Sequence, residues 1–226
     1  MTAGELSREL PGRGRVLFTA RADGNMSSVS GDGAERCEEA RERLRARIGV
    51  RRIARARQVH GGVVARVGDG DDRPGGGALG QADGQATALA QVGVMVLTAD
   101  CLPVALGSTR AVAMLHAGWR GLAAGVLEEG VLALRSLGGD EEIAAVIGPG
   151  AGACCYEVGA EVHAALTGGR RRASIDLRAI ARRRLLAAGV SEVRDVDACT
   201  ICDARFFSHR REGQRAGRQA GVAWLS

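Results

Sequence analysis

The sequence predicts a mixed α/β sandwich in one domain spanning residues 1–226. Three observations carry that expectation. Short apolar, β-rich runs are interleaved with segments of helical character. No internal repeat and no composition break marks a linker. A length of 226 residues with 46% hydrophobic content is enough for one sizeable core.

The elements follow in order. Residues 15–19 (Arg-Val-Leu-Phe-Thr) read as a first strand. Residues 21–32 are rich in Gly, Ser and Asn and read as a loop. Residues 35–48 are charge-rich and free of Gly and Pro, with Leu44 and Ile48 four apart. Glu/Arg pairs at helical spacing support a surface helix there. Residues 53–60 lead into a strand that ends at His60, and residues 62–67 continue it or return. Residues 68–80, rich in Gly and Asp, form a long loop. Residues 86–91 predict a short helix. Residues 92–98 are too short and β-rich for a helix and predict a buried strand. The apolar stretch extends past Pro103 through 104–106, and 111–116 make the next strand. A helix over 122–137 ends at Gly138 and Gly139. Residues 143–147 form a strand that stops at Gly148-Pro149-Gly150. Helices follow over 158–166 and 177–188, then a short strand over 193–196. Phe206, Phe207 and Ser208 open another strand, and 222–225 close the chain.

Composition excludes several classes of function. No apolar run approaches the length of a membrane span. No basic segment followed by an apolar core opens the chain, so the expected location is the cytoplasm. All 31 basic residues are arginine, and the net charge is +5. Runs such as Arg170-Arg171-Arg172 and Arg182-Arg183-Arg184 read as solvated faces rather than a nucleic-acid surface. Aromatic residues make up 3% of the chain, which leaves almost no stacking platform for single strands. The positive balance suits an anionic or phosphate-bearing small substrate. Six cysteines in a cytosolic chain read as thiols or ligands rather than a disulfide framework. Cys199-Thr200-Ile201-Cys202 has the spacing of zinc knuckles and redox motifs. The sequence holds no second pair at that spacing, so neither a structural-zinc nor a redox assignment is expected.

The chemistry concentrates in three short segments. His60 lies in Gln58-Val59-His60-Gly61, Cys101 in Thr98-Ala99-Asp100-Cys101-Leu102-Pro103, and His116 in His116-Ala117-Gly118-Trp119-Arg120-Gly121. Each follows an apolar run, and Cys101 and His116 fall on consecutive strand ends that can bring two side chains to one point. One thiolate with two imidazoles is the ligand count of a catalytic zinc site, whose fourth position stays open. Each of these residues alone is bland, since a single Cys after a strand is usually a small buried hydrophobe. Three of them at expected strand ends point to a site.

These segments, taken with Ile147-Gly148-Pro149, Cys154-Cys155-Tyr156-Glu157-Val158-Gly159, Phe207-Ser208-His209-Arg210-Arg211 and Gly217-Arg218, occur in an order that resembles a known family. Its members are described as multicopper polyphenol oxidase or laccase-domain proteins, as purine nucleoside phosphorylases and as peptidoglycan editing factors. The resemblance spans nearly the whole chain. It implies a β-sandwich core flanked by helices, similar to the catalytic domain of a cytotoxic necrotizing factor. It also implies that His60, Cys101 and His116 hold the metal and carry catalysis. In the toxin domain a Cys and a His serve as nucleophile and base, so Cys101 and His116 can be read that way too. The N-terminal motif departs from the family. Arg21, Asn25 and Asp32 are kept, but the segment between is shortened, and Ala40 stands before Arg41 where the family has Asn. A loop beside the pocket is therefore expected to be short.

Ligand type favours Zn2+, with Cu2+ as the alternative. An open zinc position lowers the pKa of bound water to about 7, which would permit adenosine deamination. Attack of inorganic phosphate, as co-substrate, on the ribose anomeric carbon would give phosphorolysis. The expected activity is therefore zinc-dependent purine nucleoside phosphorolysis, with adenosine deamination at its side. Arg21 is the first candidate for substrate contact, together with Asn25 and Arg120. Arg210 and Arg211 are the second choice, or else a surface salt-bridge pair. Asp83 is a further candidate; it either orients a ligand histidine or caps the short helix after it. Cys154-Cys155-Tyr156-Glu157 is expected at the pocket rim, with Glu157 a weaker candidate for proton transfer. His163 reads as structural. Three alternatives stand beside this reading: a copper polyphenol oxidase, a cytoplasmic amidase on a peptidoglycan precursor, and a non-enzymatic partner of the division machinery. The four histidines of the chain are too few for a blue copper site plus a trinuclear cluster. Expected partners are a purine nucleoside and phosphate, with no nucleic acid and no membrane, and a monomeric or homodimeric chain.

Overall fold

The structure, a computed structural model, describes residues 6–28, 33–70, 79–138, 142–169 and 173–226. The first part of the chain holds β1 (Ser7–Glu9), β2 (Gly14–Phe18), α1 (Ala34–Ile48), β3 (Arg52–Ala54), β4 (Val64–Arg66) and β5 (Gly84–Thr87). Next come β6 (Val92–Thr98), β7 (Leu102–Gly107), β8 (Val112–Ala117), α2 (Trp119–Ala123), α3 (Val126–Ser136) and β9 (Ala144–Ile147). The last part holds β10 (Glu157–Val158), α4 (Ala160–Thr167), β11 (Ala173–Ser174), α5 (Leu177–Ala187), β12 (Glu192–Asp195), α6 (His209–Glu212) and β13 (Gln219–Leu225).

Two mixed sheets make the core. The five-stranded sheet runs β1-β2-β13-β6-β3 and the six-stranded sheet runs β12-β9-β7-β8-β5-β4. Strand alternation shows how the layers arise, because successive side chains point to opposite faces. On β13, Val222 and Trp224 pack with Ala40 and Leu44 of α1. Its alternate residues Ala223 and Leu225 pack inward, in one cluster with Val94 and Val96 of β6 and with Met114 and Val146 of the other sheet. On β7 and β8, Val104, Leu106 and Leu115 turn away from the sandwich. They meet Leu127 and Leu134 of α3 and Leu185 of α5. The result is helix, sheet, sheet, helix. Both faces of the central strands are covered, which explains why 92–98 and 111–116 read as unbroken apolar runs. Each such Val or Leu contributes roughly 1.5–3 kcal/mol through burial. Among the described residues, no helix is long and apolar enough to cross a membrane.

Several expectations change. Residues 86–91 do not form a helix: β5 (Gly84–Thr87) pairs with β8, from Gly84 opposite Leu115 to Thr87 opposite Val112. A short Ala/Thr-rich run carries no periodicity that separates helix from strand. The helix expected over 122–137 is two helices, α2 and α3, broken at Gly125, whose φ of 83° is left-handed. Residues 206–208 open no strand; Ser208 caps α6, its side chain accepting the Arg211 N–H. The strand expected to reach His60 stops at Ala54, and most of the expected 68–80 loop lies outside the described residues.

Candidate metal and substrate site

The β7–β8 hairpin builds the floor of the site. Its antiparallel register sets Leu102 opposite Ala117 and Pro103 opposite His116. Cys101 immediately precedes β7, so its sulfur arrives beside the His116 imidazole. Any side chain at Gly118 would intrude, because a Cβ there would stand 2.6 Å from Cys101 Sγ. His60 comes from the irregular stretch after β3. The donor atoms of His60, Cys101 and His116 all lie within 4.8 Å of one another. The two imidazoles meet edge to face, with centroids 4.7 Å apart and planes at 70°.

Asp83 holds both histidines. It is fully buried at the start of β5. Its carboxylate accepts three successive backbone N–H groups, from Val59 at 3.0 Å, His60 at 2.8 Å and Gly61 at 2.7 Å. Its Oδ1 also lies 2.8 Å from His116 Nδ1. These bonds keep His60 at a φ of 61°, a conformation seldom found in residues other than Gly. With Nδ1 engaged by the carboxylate, Nε2 of His116 is left to face Cys101. Asp83 was a candidate for substrate contact, for orienting a ligand histidine or for a helix cap. Its burial and full set of bonds make it a positioning residue, and no helix follows it.

Electrostatics tie the cluster together. Burial pushes the Cys101 thiol up, but the His116 and His60 imidazoles outweigh it and bring it down to about 6. Burial lowers His116, yet the facing Cys101 thiolate and the Asp83 carboxylate raise it to about 9. Asp83 sits below its ordinary value: burial opposes ionisation, while His116 and the Gly61 and Val59 N–H groups favour the anion. Without a metal the pair is thus thiolate and imidazolium at neutral pH.

A second strained residue aims Cys101. Asp100 has a φ of 89°. Its carboxylate accepts the Thr200 hydroxyl at 2.7 Å, the Ser208 hydroxyl at 3.1 Å and the Arg210 N–H at 2.7 Å. Sequence reasoning gave Asp100 no assignment. Only the tertiary partners, about a hundred residues away in sequence, show what it does.

A cavity of about 590 Å3 opens over the cluster. Its walls carry Arg55, Arg57, Arg120, Arg210 and Arg218. Arg120 stacks on Trp119 at 4.3 Å and Arg210 on Tyr156 at 4.9 Å. Arg55 and Arg57 flank the QVHG segment, and that adjacency was the available signal for them. A shallower hollow of about 450 Å3 shares Trp119, Arg120, Tyr156 and Arg210, and Glu157 lines it.

Other expected site residues lie elsewhere. Arg21 stacks on Phe207 at 4.3 Å, pairs with Glu212 and donates to the Ala204 and Phe206 carbonyls. Arg211 likewise serves the Thr200, Ile201 and Phe206 carbonyls and Glu212. Neither lines the cavity, and the hydrogen bonds of both go to the 200–206 carbonyls and Glu212. Asn25 is buried, and its Oδ1 accepts the Ser27 and Arg218 N–H groups. It shapes the wall that presents Ser27 and Arg218 instead of lining it. Arg41 braces the same loop through the Met26 carbonyl at 2.7 Å. Asp32 lies outside the described residues. His163 is buried and bonds Thr167 within α4, at 2.9 Å through Nδ1.

Cys199 and Cys202 do not stand alone, although the chain has no second pair at their spacing. Their partners are Cys154 and Cys155, and the four sulfurs lie within 4.8 Å of one another. The second pair is adjacent in sequence instead of spaced by two, so a search for a repeated knuckle misses it.

With this geometry in place, known proteins give a consistent picture. Residues 14–226 match the family described as multi-copper polyphenol oxidoreductase laccase. The chain belongs to that family. A relative from Xylella fastidiosa, named purine nucleoside phosphorylase, is 40% identical over 239 residues, covering 96% of this chain and 90% of that protein. A Mycobacterium tuberculosis relative of the same name is 36% identical, covering 93% of this chain and 92% of its own. Among solved structures, a Neisseria meningitidis protein superposes with a TM-score of 0.85 at 31% identity, covering 98% of both chains. A Bacillus licheniformis protein named YfiH gives a TM-score of 0.87 at 26% identity, covering 94% of this chain and 93% of that one.

Proposed function

We propose that this protein is a metal-assisted purine nucleoside phosphorylase. The observation that carries the reading is the convergence of His60, Cys101 and His116 on the floor of a cavity walled by arginines. The donor set fits zinc: one sulfur, two imidazole nitrogens, and a carboxylate behind one imidazole to fix its tautomer. His60, Cys101 and His116 would hold the ion, and it would supply Lewis-acid polarisation at its open position. Copper could bind the same one-sulfur, two-nitrogen donors, but four histidines cannot build a laccase's clusters.

The remaining work falls to the chain itself. Arg120, Arg210 and Arg218 surround a space where phosphate would be held as an anion. Trp119 and Tyr156 offer flat faces for the purine. In phosphorolysis a phosphate oxygen bonds to the anomeric carbon as the carbon–nitrogen bond to the base breaks. The proton of the hydrogen phosphate ends on the departing purine nitrogen. The arginines offset the negative charge brought to the anomeric carbon. The names of the relatives support this substrate class.

A second reading rests on a separate observation. Cys101, His116 and Asp83 are aligned as nucleophile, base and orienting carboxylate, with the thiol already lowered to about 6. That is the equipment of a thiol hydrolase, as in the resemblance to the toxin domain. It would suit amide hydrolysis on a peptidoglycan precursor. Incubating the metal-loaded protein with adenosine and inosine, with and without phosphate, separates the two. Phosphate-dependent release of base, abolished in Cys101→Ala and His116→Ala, is the expected result. Inosine formed from adenosine without phosphate would add deamination to the activity. No product from either nucleoside at one metal per donor cluster would end the phosphorylase reading.

A further inference from the structure

We infer that Cys154, Cys155, Cys199 and Cys202 form a second, structural metal site that takes a tetrahedral thiophilic ion such as zinc. The site is independent of the nucleoside reading. All four sulfurs lie within 4.8 Å of one another, and all four cysteines are free thiols. Cys155 Sγ and Cys202 Sγ are 2.9 Å apart, and Cys154 Sγ and Cys202 Sγ 3.4 Å. A disulfide needs about 2.05 Å. Four thiolates around zinc at about 2.3 Å would stand roughly 3.8 Å from each other. Shifts of about 1 Å bring such separations to the tetrahedral value.

The backbone around the sulfurs is that of a metal knuckle. Cys199 Sγ stands at the head of a turn, closed by the Asp203 N–H onto the Cys199 carbonyl, that carries Cys202. The Gly152 N–H reaches the same sulfur from the other loop, at 3.2 Å. Adjacent cysteines diverge on an extended chain. Here the turn over 152–156, closed by Cys155 N–H and Tyr156 N–H onto the Gly152 carbonyl, brings both toward Cys202. A bridge between Gly150 and Cys199 holds the two loops in register before any ion binds.

The site has a consequence for the cavity. Cys155 is joined to Tyr156, which lines it. Thr200, inside the knuckle, bonds Asp100, the residue before Cys101. An ion on the four sulfurs therefore fixes the cavity wall without touching substrate. A four-thiolate site is closed, with no open position for chemistry.

The test is a metal count with two complementary double variants. The full chain is purified under reducing conditions without chelator and weighed by native mass spectrometry. Wild type is expected to carry two zinc ions per chain, one for each donor cluster. Cys101→Ala/His116→Ala is expected to lose one and keep the other. After cobalt exchange, that remaining ion should give the intense thiolate charge-transfer bands of a four-sulfur tetrahedral site. X-ray absorption should show sulfur neighbours only, at about 2.3 Å. Cys199→Ser/Cys202→Ser should lose the complementary ion. Should that variant fail to fold, the cobalt spectrum of Cys101→Ala/His116→Ala still decides. No metal in Cys101→Ala/His116→Ala, a spectrum with nitrogen ligands, or cystine-linked peptides joining the two loops would each overturn the inference.

Discussion

The molecule holds two sulfur clusters of opposite construction. Cys101 and His116 sit on a hairpin of two central strands, with Asp83 buried behind them and His60 brought in from the stretch after β3. The four-cysteine cluster joins two surface loops, and two of its thiols, Cys154 and Cys202, are exposed. The first is pre-shaped by a carboxylate that accepts three backbone N–H groups and an imidazole. The second rests on two turns held in register by the bridge between Gly150 and Cys199. Rigid scaffolding leaves one coordination position open for chemistry, whereas a surface clip spends all four ligands on structure.

Removing the scaffold of the first cluster should do the greatest damage. Asp83→Ala leaves the 59–61 N–H groups without their acceptor and frees His116 to rotate. A loss of about 10–100-fold in metal affinity or kcat/KM is expected, the usual range for a residue behind a ligand. Thermal unfolding should also show a loss of about 2 kcal/mol or more, since hydrogen bonds to a charge contribute roughly 1.5–3 kcal/mol each. Wild-type metal affinity in this variant would mean that the hairpin alone orients the ligands.

Gly118→Ala comes next. A Cβ 2.6 Å from Cys101 Sγ must push the sulfur away, and the His60 ring stands 3.5 Å from the same point. About 1–3 kcal/mol of strain is expected, read as weaker metal binding or slower turnover. Isothermal titration with zinc would expose it, and unchanged affinity would show that the floor yields freely.

The pH response of metal-free protein probes the first cluster alone. The thiolate exists above about 6 and its imidazolium partner below about 9. Alkylation of Cys101 by iodoacetamide should therefore rise as pH passes about 6 and level near neutrality. An ordinary thiol, with a pKa of about 8.5, would react appreciably only at higher pH. Mass spectrometry of the Cys101 peptide separates it from the other thiols. A midpoint near the ordinary value would remove the imidazolium partner from the account.

The smallest effect on chemistry is expected at Arg21. It serves carbonyls and Glu212 outside the cavity, so Arg21→Ala should leave the KM for phosphate within about twofold while lowering stability by about 1 kcal/mol. Arg120→Ala, from the cavity wall, should raise that KM about tenfold or more. The reverse order would restore Arg21 as a substrate contact.

Much of this was legible in the sequence. The central strands β6 and β8 read directly, because covering both faces makes them short apolar runs. Helix α1 read from its unbroken charge-rich stretch, and α5 from a stretch ended by Gly189. Cys101 and His116 were legible because a hairpin places consecutive strand ends together. His60 was legible as a residue but not as a conformation: its left-handed backbone depends on Asp83, 23 positions away. Arginines could be counted but not sorted. Arg21 and Arg120 differ in which carbonyls, rings and carboxylates lie within reach, and chain crossings decide that.

Local sequence thus determined which segments fold into strands and helices and which side chains carry metal-binding chemistry, because propensity and apolar patterning act over a few residues. The tertiary structure alone decided that Asp83 meets the histidines instead of capping a helix, that Asp100 aims Cys101, and that Cys154 and Cys155 come together with Cys199 and Cys202. Those outcomes depend on directional hydrogen bonds and sulfur contacts between loops some 23 to 110 positions apart, a distance over which no local pattern carries information.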